Sequence, residues 1–392
     1  MSTTGTAPAV ITLTDDDLER LVTHASTRSW LTGPGLPTEI GLLSFAELGR
    51  EGLRTLTDAT GDPDGRLAVD MRDQLVIGGL LDDEGRETES VLLDGVTGEV
   101  STTEFWWDRP DLMERRPLAP SLEKLVRFAT ATEELAELRG QFAAYADRHG
   151  PQVAAEASRQ LLAIFEEGTD GEVPGLWRAA ALIRPLSLTA GPGRASGLAL
   201  DLPSRLLDQE FGQGEIWRFE EVDFPATLTH EPTRRFLRDT GLPEDTVLFR
   251  LDTDVPLPTL TEHHADHPAA ELPADADHLI RLGYLVEDSS LVVDGRTGAV
   301  LHWSESEALL HPLNTDVSTL AFTLWLLSRE ATLDEELSQG RNRVLGEPLG
   351  PHAQLAATMI QILSTVDRTG SAPDADWHYW TEALRDEAGG VL

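Results

Sequence analysis

Apolar positions along this chain follow two periods, and stretches of each alternate. Val317, Leu320, Ala321 and Leu324 fall at i, i+3, i+4 and i+7, the stripe of an amphipathic helix. Asp316 just ahead of them is a good N-cap, and Ser121 opens a similar run in the first half of the chain. Further helical runs are predicted over 154–167 and 353–366, and a last, Trp-bearing helix around Trp177 and around Trp377. Shorter helices are predicted to begin near Ser26 and Pro232, where proline suits the first helical position because its missing N–H has no partner there anyway.

Between these helical stretches lie β-type runs. Residues 90–93 and 99–103 flank Asp94-Gly95-Val96-Thr97-Gly98, and residues 290–293 and 299–303 flank Asp294-Gly295-Arg296-Thr297-Gly298. Glycine permits the positive φ of a tight turn and aspartate caps its start, so each segment predicts a β-hairpin. A third strand is expected just before each, at 74–77 and 279–282. Helix, antiparallel strands and then several helices, read twice, make an α+β chain with helices covering a small sheet.

The two readings are copies of each other. Thr23-His24-Ala25-Ser26-Thr27-Arg28 returns as Thr229-His230-Glu231-Pro232-Thr233-Arg234, and Gly35-Leu36-Pro37 returns as Gly241-Leu242-Pro243, both at an offset of 206. Gly79-Leu80-Leu81 is matched to Gly283-Tyr284-Leu285, Asp94 to Asp294, Pro117 to Pro312 and Trp177 to Trp377, with small drifts in offset. Loop insertions account for such drifts. The expected organisation is a first copy over 11–187, a Gly/Pro/Ser-rich linker over 188–214 and a second copy over 215–389.

Charge changes the picture. Against 31 Lys and Arg stand 68 Asp and Glu, a formal net charge of −37. Binding nucleic acid or an anionic membrane requires a basic face, so both roles are disfavoured, while a basic partner is favoured. Cysteine is absent, which removes disulfides, thiolate metal sites and thiol nucleophiles. Met1–Ala9 lacks the cationic start and apolar core of a secretion signal, and the run 320–327 is far shorter than a membrane span. A cytoplasmic, soluble protein is expected.

Little in the sequence points to catalysis. Phosphate-binding loop, nucleophile elbow and paired zinc-helix histidines are missing. His263, His264, Asp266 and His267 form the best metal-like cluster, but their stretch lacks periodicity and ends in Pro268. It reads as a solvated loop, and no metal, cofactor or catalytic residue is expected. The repeated Thr-His-x-x-Thr-Arg segment has two readings: an anion site, or a helix lead-in braced by Arg28 and Arg234. Acidic clusters are the candidate partner contacts: Asp82, Asp83 and Glu84; Glu220, Glu221 and Asp223; Glu287 and Asp288.

The second copy resembles the SUKH superfamily, in the subfamily common in actinomycete genomes. The resemblance rests on 219–225, on His230 to Leu237, on Gly241-Leu242-Pro243, on 283–286, on the Asp294–Gly298 turn and on Pro312-Leu313-Asn314. The first copy is similar but looser, with Trp30 in place of Phe236. The resemblance implies an α+β fold around a mixed sheet and a non-catalytic role: binding and neutralising a toxin, often a nuclease or nucleic-acid deaminase. It assigns the repeated motifs, Gly35 with Pro37, Asp94 with Gly95 and Gly98, Gly241 with Pro243, and Asp294 with Gly295 and Gly298, to structure. Two other readings stay open, an adaptor or regulator of a cellular protein or small ligand, and an enzyme.

Overall fold

A computed structural model describes residues 9–386, apart from 19, 63–64, 83, 107, 167–172, 266–271, 286–288, 340–351 and 372–377. The chain divides into two compact units. One comprises Met1–Ala146, Ala155–Pro185 and Glu347–Thr358; the other comprises Asp147–Ala154, Leu186–Gly346 and Met359–Leu392. Within each, helices flank antiparallel strands, so the chain is α+β.

The first unit opens with β1 (Val10–Ile11), α1 (Asp15–Leu18), α2 (Ala25–Thr32), β2 (Leu36–Pro37), β3 (Glu39–Ile40), β4 (Leu43–Ser44), α3 (Ala46–Glu51), β5 (Arg54–Thr55) and α4 (Leu56–Thr60). Then come the long strands β6 (Leu75–Leu81) and β7 (Glu87–Leu93), β8 (Val100–Thr103), β9 (Arg116–Ala119), helix α5 (Leu122–Ala136), the part of α6 (Pro151–Glu166) from Ala155 on, and α7 (Gly175–Ile183). The sheet runs β3-β4-β6-β7-β8-β9, with β5 also on β6, and every pairing is antiparallel. Behind it, Phe128 of α5 packs on Phe165 and Trp177, with ring centroids 4.8 and 4.9 Å away. Rings at these separations and tilts add to the area they bury.

The segment expected as a linker carries structure. It holds β10 (Gly191–Pro192), β11 (Leu200–Asp201) and α8 (Leu206–Phe211). Gly193 lets the β10–β11 hairpin close, since a Cβ there would lie 1.7 Å from the carbonyl oxygen of Leu198.

The second unit repeats the plan with β12 (Ile216–Trp217), α9 (Glu231–Asp239), β13 (Leu242–Pro243), β14 (Phe249–Leu251), α10 (Leu260–His263), β15 (Leu279–Leu285), β16 (Ser289–Asp294), β17 (Val300–Ser304), β18 (Leu309–Asn314), α11 (Val317–Gln339), the part of α12 (His352–Val366) from Met359 on, and α13 (Tyr379–Arg385). Its sheet is β14-β15-β16-β17-β18, again antiparallel.

Ladder registers align the two copies and correct one match. Gly78 pairs with Val91 beyond a bulge after Val76, and Gly283 pairs with Leu291 beyond a bulge after Arg281. The glycine that answers Gly283 is therefore Gly78, not Gly79. The physical reason is a close backbone approach. A Cβ on Gly78 would lie 2.2 Å from the Ser44 carbonyl oxygen, and one on Gly283 2.1 Å from that of Arg250. The β8–β9 and β17–β18 ladders also share a bulge, after Val100 and after Val300, which sets Pro117 on Pro312.

The period expected of α11 is also corrected. From Val317 to Leu326 it is buried on every side, Ser318, Thr319 and Thr323 included. Its polar positions are absorbed by hydrogen bonds: Leu200 N donates to Ser318 Oγ at 3.0 Å, and Thr323 Oγ1 donates to the Thr319 carbonyl at 2.9 Å. Asp316 caps it, accepting from the backbone of Ser318 at 2.8 Å and of Thr319 at 3.3 Å. Trp377 lies outside the described residues; the buried tryptophan of α13 is Trp380.

Candidate functional site

The two repeated motifs meet in each copy. The backbone N–H groups of Thr23 and His24 donate to the Gly95 carbonyl at 2.8 and 3.0 Å, and those of Thr229 and His230 donate to the Gly295 carbonyl, both at 2.8 Å. The N-terminus of α2 or α9 is thereby fixed on the hairpin turn. Each turn is stiffened by its aspartate: Asp94 accepts from the backbone of Val96 and Thr97, and Asp294 from that of Arg296, all at 2.8 Å. Gly98 and Gly298 take positive φ, at 79° and 82°; Gly95 and Gly295 do not.

Geometry favours the bracing role for the arginines over an anion site. Arg28 donates to the carbonyls of Leu18 and Val22 and pairs with Asp15 at 2.9 Å. Arg234 donates to the Leu228 carbonyl and pairs with Glu221.

Several acidic candidates are committed to local structure. Asp82, expected as a partner contact, is 8% exposed. It accepts from the backbone of Glu84 and Arg86 and from the Arg86 guanidinium, because it caps the turn between β6 and β7. Glu84 pairs with Arg86 at 2.9 Å. Glu220 and Asp223 form a reciprocal capping box, and Glu221 holds both Arg234 and Arg238. Asp83, Glu287 and Asp288 lie outside the described residues.

A different acidic constellation, one that the sequence reading missed, surrounds a cavity of about 520 Å³ in the first unit. Glu47 and Glu51 reach it from α3, Arg54 from β5, Glu87 and Glu89 from β7, and Glu104 with Phe105 from just past β8. Glu87 and Glu89 flank Thr88, where β7 carries an extra residue against Leu80 and Leu81 of β6, and both line the cavity. Arg54 is taken by Glu51, at 2.6 Å. Glu89 is 3% exposed, and Arg116 of β9 lies 3.0 Å from one of its oxygens. Glu87 lies across Gly79, where a Cβ would come 2.4 Å from its carboxyl carbon. Burial pushes the Glu87 carboxyl up from its ordinary value; the Ser90 hydroxyl, donating at 2.8 Å, counters this, and neighbouring Glu47 adds to the rise. Five carboxylates face two guanidiniums, so this partly desolvated site suits a cation.

Register shows what the second copy has instead. Ser289 stands for Glu89, Ser304 for Glu104, Glu305 for Phe105 and Arg281 for Val76. Arg281 is buried, paired with Asp252, and donates to Ser290 Oγ at 3.2 Å. Among the described residues, the second copy therefore replaces Glu89 and Glu104 with serines and places Glu305 and a buried arginine there instead.

The histidine cluster is also corrected. His263 ends α10 and His264 caps it, so they are not in an irregular loop; only His263 is exposed, and the His264 side chain is 9% exposed. A capping box between Thr259 and Glu262 nucleates this turn of helix. Asp266 and His267 lie outside the described residues. Among the described residues no helix is long and apolar enough to cross a membrane.

Comparison with known proteins agrees with this doubled architecture. Neither a curated protein nor a solved structure matches the chain. A family model described as SUKH-4 immunity protein matches it twice, over residues 3–165 and 202–386. With most of its length covered by these two matches, the chain belongs to the SUKH-4 immunity protein family, as two tandem copies.

Proposed function

We propose that this protein is the non-catalytic immunity partner of a basic, nucleic-acid-targeting toxin, which it neutralises in the cytoplasm by occlusion. Family membership supports the toxin-neutralising class. The observation that carries the finer reading is the glutamate-lined cavity of the first copy. A toxin that acts on nucleic acid needs a cationic cleft. The excess carboxylates around Glu87 and Glu89 offer a seat for one of its arginines or lysines, within a chain whose net charge of −37 attracts it from a distance. Asp83, Glu84, Glu287 and Asp288 remain proposed partner contacts. Asp82, turned inward, does not.

The test is a pull-down with this protein from its source cells, followed by co-expression with the basic toxin captured. Protection is expected from the wild-type chain and reduced protection from the combined Glu87→Gln and Glu104→Gln variant. Equal protection by that variant would remove the cavity from the reading. Binding to a neutral or acidic cellular protein instead would favour the adaptor reading.

A further inference from the structure

The second copy carries donor groups where the first has its cavity. Thr55 and Thr259 cap α4 and α10 and pair with Leu75 and Ile280, the matched residues of β6 and β15, so the two short helices correspond. On that alignment His263 and His264 replace Ala59 and Thr60, and Glu305 replaces Phe105. A site with three donor side chains has arisen at a place where the sister copy needs at most one hydroxyl.

We propose that His263, His264 and Glu305 form a binding site for a divalent transition-metal ion of the zinc class. One ligand atom from each residue lies within 4.8 Å of the other two. Tetrahedral zinc with bonds of roughly 2 Å holds its ligands about 3.3 Å apart, so a modest closing of the side chains completes the geometry. His263 and Glu305 are on the surface and free to make that adjustment.

His264 is the independent reason to expect a ligand. Its side chain is nine-tenths buried, yet its buried Nε2 has no hydrogen-bond partner. Buried ring nitrogens are ordinarily satisfied. Among the described residues, Oε1 of the proposed co-ligand Glu305 lies 3.7 Å from Nε2. Ser290 Oγ donates to that same oxygen at 3.4 Å and so orients the carboxylate. Two imidazoles and one carboxylate match the preference of zinc, leaving a fourth position for water or a partner's side chain. Arg281, the nearby cation, is neutralised by Asp252.

The experiment titrates zinc chloride alone into untagged, chelator-treated full-length protein by calorimetry, with cobalt substitution read by its visible absorption. One equivalent is expected to bind saturably. His263→Ala and Glu305→Gln, both at surface positions, are each expected to weaken binding at least tenfold while the circular dichroism spectrum stays that of wild type. His311→Gln is expected to bind zinc as wild type does. Absence of saturable binding would overturn the proposal, as would binding that both surface variants leave unchanged.

Discussion

Gly298 sits directly on the imidazole of His230: a Cβ added to the glycine would come 2.3 Å from Nδ1. That nitrogen shares a hydrogen bond of 2.8 Å with Thr233 Oγ1, and φ at Gly298 is 82°. In the first copy Gly98, His24 and Thr27 repeat the arrangement, with the same 2.3 Å and 2.8 Å separations. Gly298→Ala is therefore expected to meet both a clash and a left-handed backbone, destabilising its unit by about 2 kcal/mol in urea unfolding. Adding His230→Ala should recover the part due to the clash, and a double-mutant cycle without coupling would refute the contact.

Acid should weaken the second unit before it weakens the first. Burial pushes the imidazole of His302 down from 6.5 to about 4, and His311, its cross-strand partner with ring centroids 5.9 Å apart, adds to the effect. Above pH 6.5 the group is neutral folded or unfolded and contributes nothing to the pH dependence. Between 6.5 and about 4 the unfolded chain takes up a proton that the native state refuses, so stability falls as pH falls through that window. His302→Gln should flatten this part of a thermal-denaturation pH series, and an unchanged slope would contradict the assignment.

Asp367 organises a buried network in the second copy. It accepts from Thr315 N at 2.7 Å, Thr315 Oγ1 at 2.8 Å and Asn314 Nδ2 at 3.2 Å, while Trp380 Nε1 donates to Asn314 Oδ1 at 3.1 Å. Burial works to raise its carboxyl, but the hydrogen bonds from Thr319, Thr315 and Thr369 prevail and hold it below its ordinary value. Asp367→Ala leaves buried donors without an acceptor and should cost about 2–3 kcal/mol. Ala119 and Pro120, at the matching positions of the first copy, offer no such donors. A melt in which Asp367→Ala behaves as wild type would show the network to be dispensable.

Association with the toxin should be governed by charge. Exposed charges are screened beyond about 8 Å at physiological salt, so the attraction appears chiefly in the on-rate. Raising salt from about 50 to 500 mM should slow association roughly tenfold or more and change dissociation less. Glu87→Gln with Glu104→Gln should reduce affinity, whereas Glu220→Gln with Glu221→Gln, an equal charge change in a capping segment, should leave it nearly unaltered. Stopped-flow rates that ignore salt would sink the electrostatic reading.

Sequence alone was enough for the duplication, the α+β class, the hairpins at Asp94–Gly98 and Asp294–Gly298 and the caps at Ser121 and Asp316. These features are local. An aspartate that accepts from residues two or three further on, or a glycine at positive φ, works through neighbours a few positions away. Pairing register is not local, which is why Gly79 was matched to Gly283 until the bulges set Gly78 there. Tertiary structure alone decided which acidic residues are committed to caps, as Asp82 and Asp223 are. It also gathered Glu47, Glu87 and Glu104 from three separate elements around one cavity, and set Glu305 beside His264 from more than forty positions away. Desolvation and proximity make such groups chemically distinctive, and both are properties of packing that no spacing along the chain encodes.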